Sequence, residues 1–237
     1  MLYNIRMNAK EIKKIKISLV MNAASFLIFA VGLVFMLIGF QFMGYEKRLS
    51  ATTAEAFRFF TVDSNVIAGI ACLIMVIFEI RLLKGKTESL PAWLYSLKHI
   101  ATVGVAITFF TVLLILAPFF EGGFFALYMN SNLFFHLIIP LLCMISFMFF
   151  EGTRRLRFGQ TFLGIITMLV YGVFYAANVM THMSGGQVSS KYDWYGLFSG
   201  TIAPWPVMMA IMVVMAWIIS FLLWLINRKT ADSGPDK

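Results

Sequence analysis

Long apolar runs separated by short polar segments form the dominant pattern of this chain. A helix that crosses a membrane needs about 20 mostly apolar residues. Six runs meet this length, at roughly 17–43, 59–81, 99–119, 131–150, 161–182 and 202–226. The pattern predicts an all-α integral membrane protein with six transmembrane helices over residues 17–226, a basic segment at 1–16 and a polar tail at 227–237.

Composition supports the membrane assignment. The 237 residues are 60% hydrophobic and 13% charged, with a mean hydropathy of +0.85, whereas a soluble domain is about 45–50% apolar and about 25% charged. The net charge of +8 is confined to short clusters between the apolar runs, which is typical of membrane topology signals. We therefore expect no nucleic acid partner.

The distribution of positive charge predicts the orientation. Fifteen of the 19 Lys and Arg residues lie in the N-terminal segment, the second and fourth connections and the C-terminal tail. Such segments are cytoplasmic in membrane proteins, so both termini are predicted to be cytoplasmic. The basic stretch at 10–17 is either an interfacial helix on the inner leaflet or a continuation of the first span.

Polar residues gather in the predicted outer half of the bundle. Thr61, Ser64 and Asn65 are spaced i, i+3, i+4 and therefore share one helix face. Pro140 leaves the His136 carbonyl without its usual donor and predicts a kink there. The candidate pocket between spans 2, 4 and 5, capped by the loop at 183–201, contains Thr61, Ser64, Asn65, Asn132, His136, Tyr175, Asn178, His182, Asp193 and Trp205.

A histidine facing a hydroxyl is the minimal pair for nucleophilic acyl transfer, because the imidazole takes the hydroxyl proton. The candidate nucleophiles are Thr61 and Ser64, and the candidate base is His136. The amides of Asn65, Asn132 and Asn178 are candidates to orient the imidazole or to stabilise an oxyanion. The structural alternative is that Thr61 bonds a backbone carbonyl of its own helix and that His136 bridges two helices.

Two short motifs resemble a known family. The segments FFTVDSN at 59–65 and NLFFHLIIP at 132–140 resemble the androgen-induced membrane protein family, and resemble still more its bacterial six-span relatives of unknown role. The segment KYDWYGLF at 191–198 is a looser match to those relatives. The resemblance implies threonine hydrolases of fatty acid esters of hydroxy fatty acids, with Thr61 as nucleophile and His136 as base. Asp63, Ser64 and Asn65 depart from the animal pattern.

The leading interpretation is an intramembrane hydrolase of a lipid-like ester in the inner membrane of a bacterium. The alternatives are a non-catalytic transporter, a lipid- or small-molecule-binding membrane protein, and a structural membrane protein whose polar groups only join helices. No spacing of His or carboxylates typical of a metal site occurs, and no phosphate- or dinucleotide-binding motif. We therefore expect no metal and no cofactor. The sequence does not fix the oligomeric state.

Overall fold

Six helices long and apolar enough to cross a membrane form the protein. A computed structural model describes residues 7–44, 53–120, 122–151, 156–198 and 205–230. The helices are α1 (Ala9–Ile38), α2 (Phe60–Leu83), α3 (Ala92–Phe119), α4 (Ser131–Phe149), α5 (Phe158–Thr181) and α6 (Trp205–Thr230). The described residues contain no named β-strand. The predicted all-α architecture with six spans is confirmed.

The first helix begins earlier than the apolar run that predicts it. Asn8 caps α1 by accepting a hydrogen bond from the Glu11 backbone N–H, while the Glu11 carboxylate accepts one from the Asn8 N–H. This reciprocal pair satisfies donors that the first helical turn leaves open. The basic stretch at 10–17 is therefore continuous with the first span. At the other end, Gly39 adopts a left-handed conformation with φ of 68° and closes the helix.

The third helix is the centre of the bundle. It packs against α2, α4, α5 and α6, and α1 packs along α2 on the other side. Its most apolar window is 56% buried, compared with 28% for α1 and for α6. Small side chains such as Ala101, Gly104 and Ala106 allow its neighbours to approach closely. α3 therefore packs against four of the other five helices of the described bundle.

Two helices contain π-helical turns. One covers Val112–Leu116 within α3, and the other covers Phe134–Ile138 within α4. The second ends two residues before Pro140, whose missing N–H cannot continue the regular hydrogen-bond ladder. The irregularity predicted beside His136 thus takes the form of a widened turn that contains the histidine.

Large apolar side chains cover the outside of the bundle. Val170, Val173 and Phe174 on α5 are 65%, 70% and 63% exposed, and Val20 and Leu27 on α1 are similarly open. Such a surface fits a lipid environment. The protein is therefore an integral multi-pass membrane protein.

The side of the membrane on which each end lies stays a prediction. Parts of the charge pattern lie outside the described residues. These parts are residues 1–6 of the basic segment, residues 231–237 of the tail and four further basic residues between the helices. These four residues are Lys47, Arg48, Arg154 and Arg155. The two ends of the bundle are the Thr61 end, where α2 begins, and the Lys98 end, where α3 begins.

Candidate functional site

A cavity of about 430 Å³ lies at the Thr61 end of the bundle. Its lining is mostly aliphatic, aromatic and methionine side chains, with six hydroxyl-bearing residues and no charged side chain among the described residues. The lining residues are Phe60, Thr61, Ile107, Thr108, Thr111, Val112, Ile115, Leu116, Met168, Tyr171, Gly172, Tyr175, Tyr195, Leu197, Met208, Met209 and Met212. A cavity of this size and character is suited to a small apolar ligand.

The walls of the cavity differ from those expected from the sequence. The sequence placed the pocket between spans 2, 4 and 5, whereas the described lining comes from α2, α3, α5, α6 and the loop after α5. α3 packs against α2, α4, α5 and α6 and supplies the largest share of the lining, whereas no residue of α4 is in the described lining. Thr61 and Tyr175 line the cavity, and His136 and Asn132 on α4 are not among its lining residues.

Thr61 presents its side chain to the cavity, and Ser64 does not. The Ser64 hydroxyl is 1% exposed, donates to the Thr61 carbonyl at 3.0 Å and lies 3.2 Å from the Thr108 hydroxyl. The Thr61 hydroxyl makes no hydrogen bond among the described contacts and does not bond a carbonyl of its own helix. Of the two candidate nucleophiles, Thr61 is therefore the one open to a ligand.

Asn65 connects α2 to α4. Its amide nitrogen donates to the Thr61 carbonyl at 2.8 Å and to the Phe135 carbonyl at 3.1 Å. Its carbonyl oxygen is buried without a hydrogen-bond partner. The two donated bonds hold this amide close to the segment that carries His136. A buried acceptor without a partner is costly, and the amide retains one such acceptor.

His136 is buried in the π-helical turn of α4. Its Nδ1 lies 2.6 Å from the Leu127 carbonyl oxygen, and its ring meets the Tyr128 ring edge to face. A carbonyl can only accept, so Nδ1 carries the proton and a neutral ring keeps its lone pair on Nε2. This is the tautomer that a general base requires. Thr61 and His136 form no hydrogen bond with each other in the described structure.

The loop after α5 closes the cavity and is fastened through Asp193. One carboxylate oxygen of Asp193 accepts from the Tyr175 hydroxyl and, at 2.9 Å, from the Leu197 N–H, and the other accepts from the Phe198 N–H at 3.1 Å. Asn178 donates to the Tyr192 carbonyl at 3.0 Å. Asp193 thus holds the loop from within, Asn178 holds it from α5, and neither residue is in the described lining of the cavity.

Aromatic side chains complete the closure. The Tyr195 hydroxyl accepts from the Phe60 N–H at 3.0 Å, and the Trp194 indole donates to the Tyr171 hydroxyl at 3.1 Å. Burial raises the pKa of Tyr195, so its phenol stays protonated and neutral at physiological pH. The Tyr195 phenol consequently adds no negative charge to the wall of the cavity.

The remaining candidates lie at the edges. Trp205 is the first residue of α6 and stacks on Phe198, with ring centroids 5.1 Å apart. His182 follows α5, is exposed and stacks on Tyr192 at 3.7 Å. Asn132 is buried at the start of α4. The structure therefore keeps these three residues outside the described lining of the cavity.

Sequence reasoning missed the hydroxyls of Thr108, Thr111 and Tyr171. These residues stand singly within apolar runs, and only the packing of α3 against α2 and of α5 against α3 brings them around one space. Thr111 is notable because its hydroxyl oxygen is buried without a partner. Because this oxygen is buried, it is not open to a ligand, and the described contacts leave Thr61 with the accessible unpartnered hydroxyl of the lining.

Sequence reasoning also missed a buried charged cluster at the Lys98 end. Lys98 was counted as a cytoplasmic topology residue, but its side chain is 1% exposed and lies 3.6 Å from the Glu151 carboxylate. The available signal was position along the chain. Lys98 directly precedes span 3 and Glu151 directly follows span 4, so both residues were expected at the same end of the bundle. Glu79, 1% exposed, belongs to the same cluster.

Comparison with known proteins identifies no relative. No family model matches the sequence, no curated protein matches it, and no solved structure matches it. The function must therefore be argued from the geometry of the chain.

Proposed function

We propose that this protein binds a neutral lipid-like ester, with its acyl chain in the cavity at the Thr61 end. The supporting observation is a cavity of about 430 Å³ that is lined mostly by apolar side chains, in which the described contacts leave the Thr61 hydroxyl without a partner. Methionine and aliphatic walls adapt to a flexible hydrocarbon chain. The Thr61 hydroxyl can hydrogen-bond an ester group bound there.

The absence of charge in the lining favours an ester over a free carboxylate. A carboxylate moved from water into an apolar site loses its hydration and needs a cationic partner. The described lining offers hydroxyls but no Lys, Arg or His. If a bound lipid carries a charged group apart from its ester, that group therefore lies outside the cavity, at the level of the lipid headgroups.

Gly172 provides the test of binding. A Cβ at this position would stand 2.0 Å from the Cε atom of Met209, on the wall of the cavity. Gly172→Leu should fill the cavity and weaken binding of a fluorescent long-chain fatty acid methyl ester at least about tenfold, the effect of roughly 1.4 kcal/mol. Fluorescence titration of the purified protein measures this.

Gly159 supplies the matched control, because it lies on the same helix and a Cβ there meets nothing within 4 Å. Gly159→Leu should bind the ester like the wild type. The corresponding free fatty acid should bind more weakly than the ester. Equal affinity of the wild type and Gly172→Leu for the ester would rule out the cavity as the site.

Ester hydrolysis is the second candidate function, and the tautomer of His136 favours it. In this reaction the Thr61 oxygen attacks the ester carbonyl and its proton passes to Nε2 of His136, which then protonates the departing alkoxide. Water next cleaves the acyl-threonine, and the threonine is regenerated. The pair must come within hydrogen-bond reach when the ester is bound, as catalytic hydrogen bonds often tighten only in the substrate complex.

Three variants separate binding from hydrolysis. With a long-chain 4-nitrophenyl ester, Thr61→Val should abolish turnover, and His136→Gln should lower kcat by about 100-fold or more. Ser64→Ala, the matched hydroxyl control, should keep kcat within a few-fold of wild type. If Thr61→Val retains full turnover, hydrolysis through Thr61 is wrong, whereas ester binding is judged by the Gly172 experiment alone.

A further inference from the structure

The charged cluster at the Lys98 end has no role in ester binding or hydrolysis. It lies between α1, α2, α3 and α4, on helix segments that do not line the cavity. Its members are connected by hydrogen bonds or ion pairs: Ser18, Asn22, Cys72, Glu79, Lys98, Cys143, Ser146 and Glu151. Ionisable groups are expensive within a membrane and mark a functional site by default.

Lys98 brings positive charge to both cysteines of the chain. Its Nζ atom lies 2.7 Å from the side-chain amide oxygen of Asn22, 3.0 Å from the Cys72 sulfur and 3.8 Å from the Cys143 sulfur. A neighbouring ammonium stabilises a thiolate, which is the reactive form of cysteine. A cation therefore lies beside both thiols, although both stand in apolar runs of the sequence.

The two sulfurs face each other across the contact between α2 and α4. They lie 3.8 Å apart, and Cys72 and Cys143 are 0% and 1% exposed. A disulfide bond is about 2.05 Å long, so the sulfurs must approach by roughly 1.8 Å. The two cysteines are the only ones in the sequence.

An acceptor for the thiol proton is present in the same cluster. Lys98 bridges Cys72 and the Glu151 carboxylate, at 3.0 Å and 3.6 Å from its Nζ atom. The other carboxylate oxygen of Glu151 is buried without a hydrogen-bond partner. Lys98 can thus pass one proton to Glu151 while it takes the proton of the Cys72 thiol, which leaves a thiolate beside the ammonium.

The burial of both sulfurs limits the oxidant. Both sulfurs are 0–1% exposed, so an oxidant reaches them only when the packing around them opens. A thiol, a protein disulfide or a quinone ring needs a larger opening than a molecule of two heavy atoms. Hydrogen peroxide consists of two oxygen atoms, is neutral, and yields sulfenic acid with thiolates. A small neutral peroxide therefore matches this site.

We propose that Cys72 and Cys143 form a reversible disulfide site that hydrogen peroxide oxidises, with Lys98 stabilising the attacking Cys72 thiolate. The Cys72 sulfur attacks one peroxide oxygen and the O–O bond breaks. Cys72 becomes a sulfenic acid, and the released hydroxide takes the proton held by Glu151 to form water. The Cys143 sulfur then attacks the Cys72 sulfur, the S–O bond breaks, and the leaving hydroxyl departs as water with the Cys143 proton. Two thiols and one peroxide thus give one disulfide and two waters.

The test follows thiols and mass in the intact membrane protein. After treatment with hydrogen peroxide, denaturation and maleimide labelling, the wild type should lose both thiols together and become two hydrogens lighter. A reducing agent should restore both thiols. Gain of oxygen without thiol coupling, a disulfide between two chains, or thiols that survive the treatment would each overturn the proposal.

Single variants assign the order of attack. In Cys143→Ala the sulfenic acid of Cys72 should accumulate and be trapped when the protein is unfolded in the presence of dimedone, whereas Cys72→Ala treated in the same way should give little adduct. Lys98→Met should slow oxidation about tenfold, and Lys98→Arg should restore most of the rate, because the charge is returned. Equal dimedone adducts in the two cysteine variants would refute the assignment even if Lys98→Met does not fold. None of these readouts depends on ester binding.

Discussion

At the scale of single residues, burial decides how each polar side chain of this protein behaves. Lys98 is a clear case, since its ammonium contacts Asn22, Cys72 and Glu151 and does not reach water. Removing one partner of a buried ion pair leaves an uncompensated charge that costs about 3–5 kcal/mol. Asp193 is another, with both carboxylate oxygens bonded inside the loop that closes the cavity.

At the scale of helices, close packing of α1 on α2 depends on one glycine. A Cβ at Gly69 would stand 2.3 Å from Cδ1 of the buried Phe29 ring. This ring fills the space that the glycine leaves, and helices in membranes associate through small residues of this kind. The contact also positions α2, the helix that carries both Thr61 and Cys72.

Gly69→Ala should therefore destabilise the bundle. The added methyl group overpacks the α1–α2 contact, and overpacking costs about 1–3 kcal/mol. The detergent-purified protein can be heated and its unfolding measured as the loss of the monodisperse peak in size-exclusion chromatography. The Tm of this variant should be lower than that of the wild type. Gly159→Ala, placed where a Cβ meets nothing, should leave the Tm unchanged, and equal Tm values for both variants would contradict the packing argument.

At the scale of the whole molecule, the bundle contains two separate polar regions. The cavity with Thr61 lies at one end of α2, and the cluster with Lys98, Cys72 and Glu151 lies towards the other end. Both use α2 and α3, which pack together along their lengths. The charge pattern predicts that the cavity end faces outwards and the Lys98 end faces the cytoplasm.

Labelling of introduced cysteines tests this orientation. Lys86 lies in the α2–α3 connection and Gln187 in the α5–α6 loop, and both are exposed. A membrane-impermeant maleimide applied to intact cells should label Gln187→Cys and should label Lys86→Cys only after lysis. The native cysteines are buried and supply the background control. Labelling of Lys86→Cys in intact cells would reverse the predicted orientation.

The candidate site was only partly accessible to sequence reasoning. The motif at 59–65 identified Thr61, which does line the cavity. The spacing of Thr61, Ser64 and Asn65 predicted a shared helix face, and the structure adds that the Ser64 and Asn65 side chains donate to the Thr61 carbonyl. The sequence could not show that α3 and α6, and not α4, contribute to the described lining of the cavity. Helix neighbours are set by packing, and apolar runs of similar hydropathy do not specify which faces meet.

Sequence alone determined the architecture, because each helix must satisfy its backbone hydrogen bonds internally and expose apolar side chains to lipid. These requirements are local and appear as six apolar runs. Tertiary structure decided which polar side chains meet: Thr61 with Thr111 around the cavity, and Lys98 with Glu151 and two thiols in the interior. Such contacts join residues far apart in the chain, and their energies depend on burial that only the packed bundle creates.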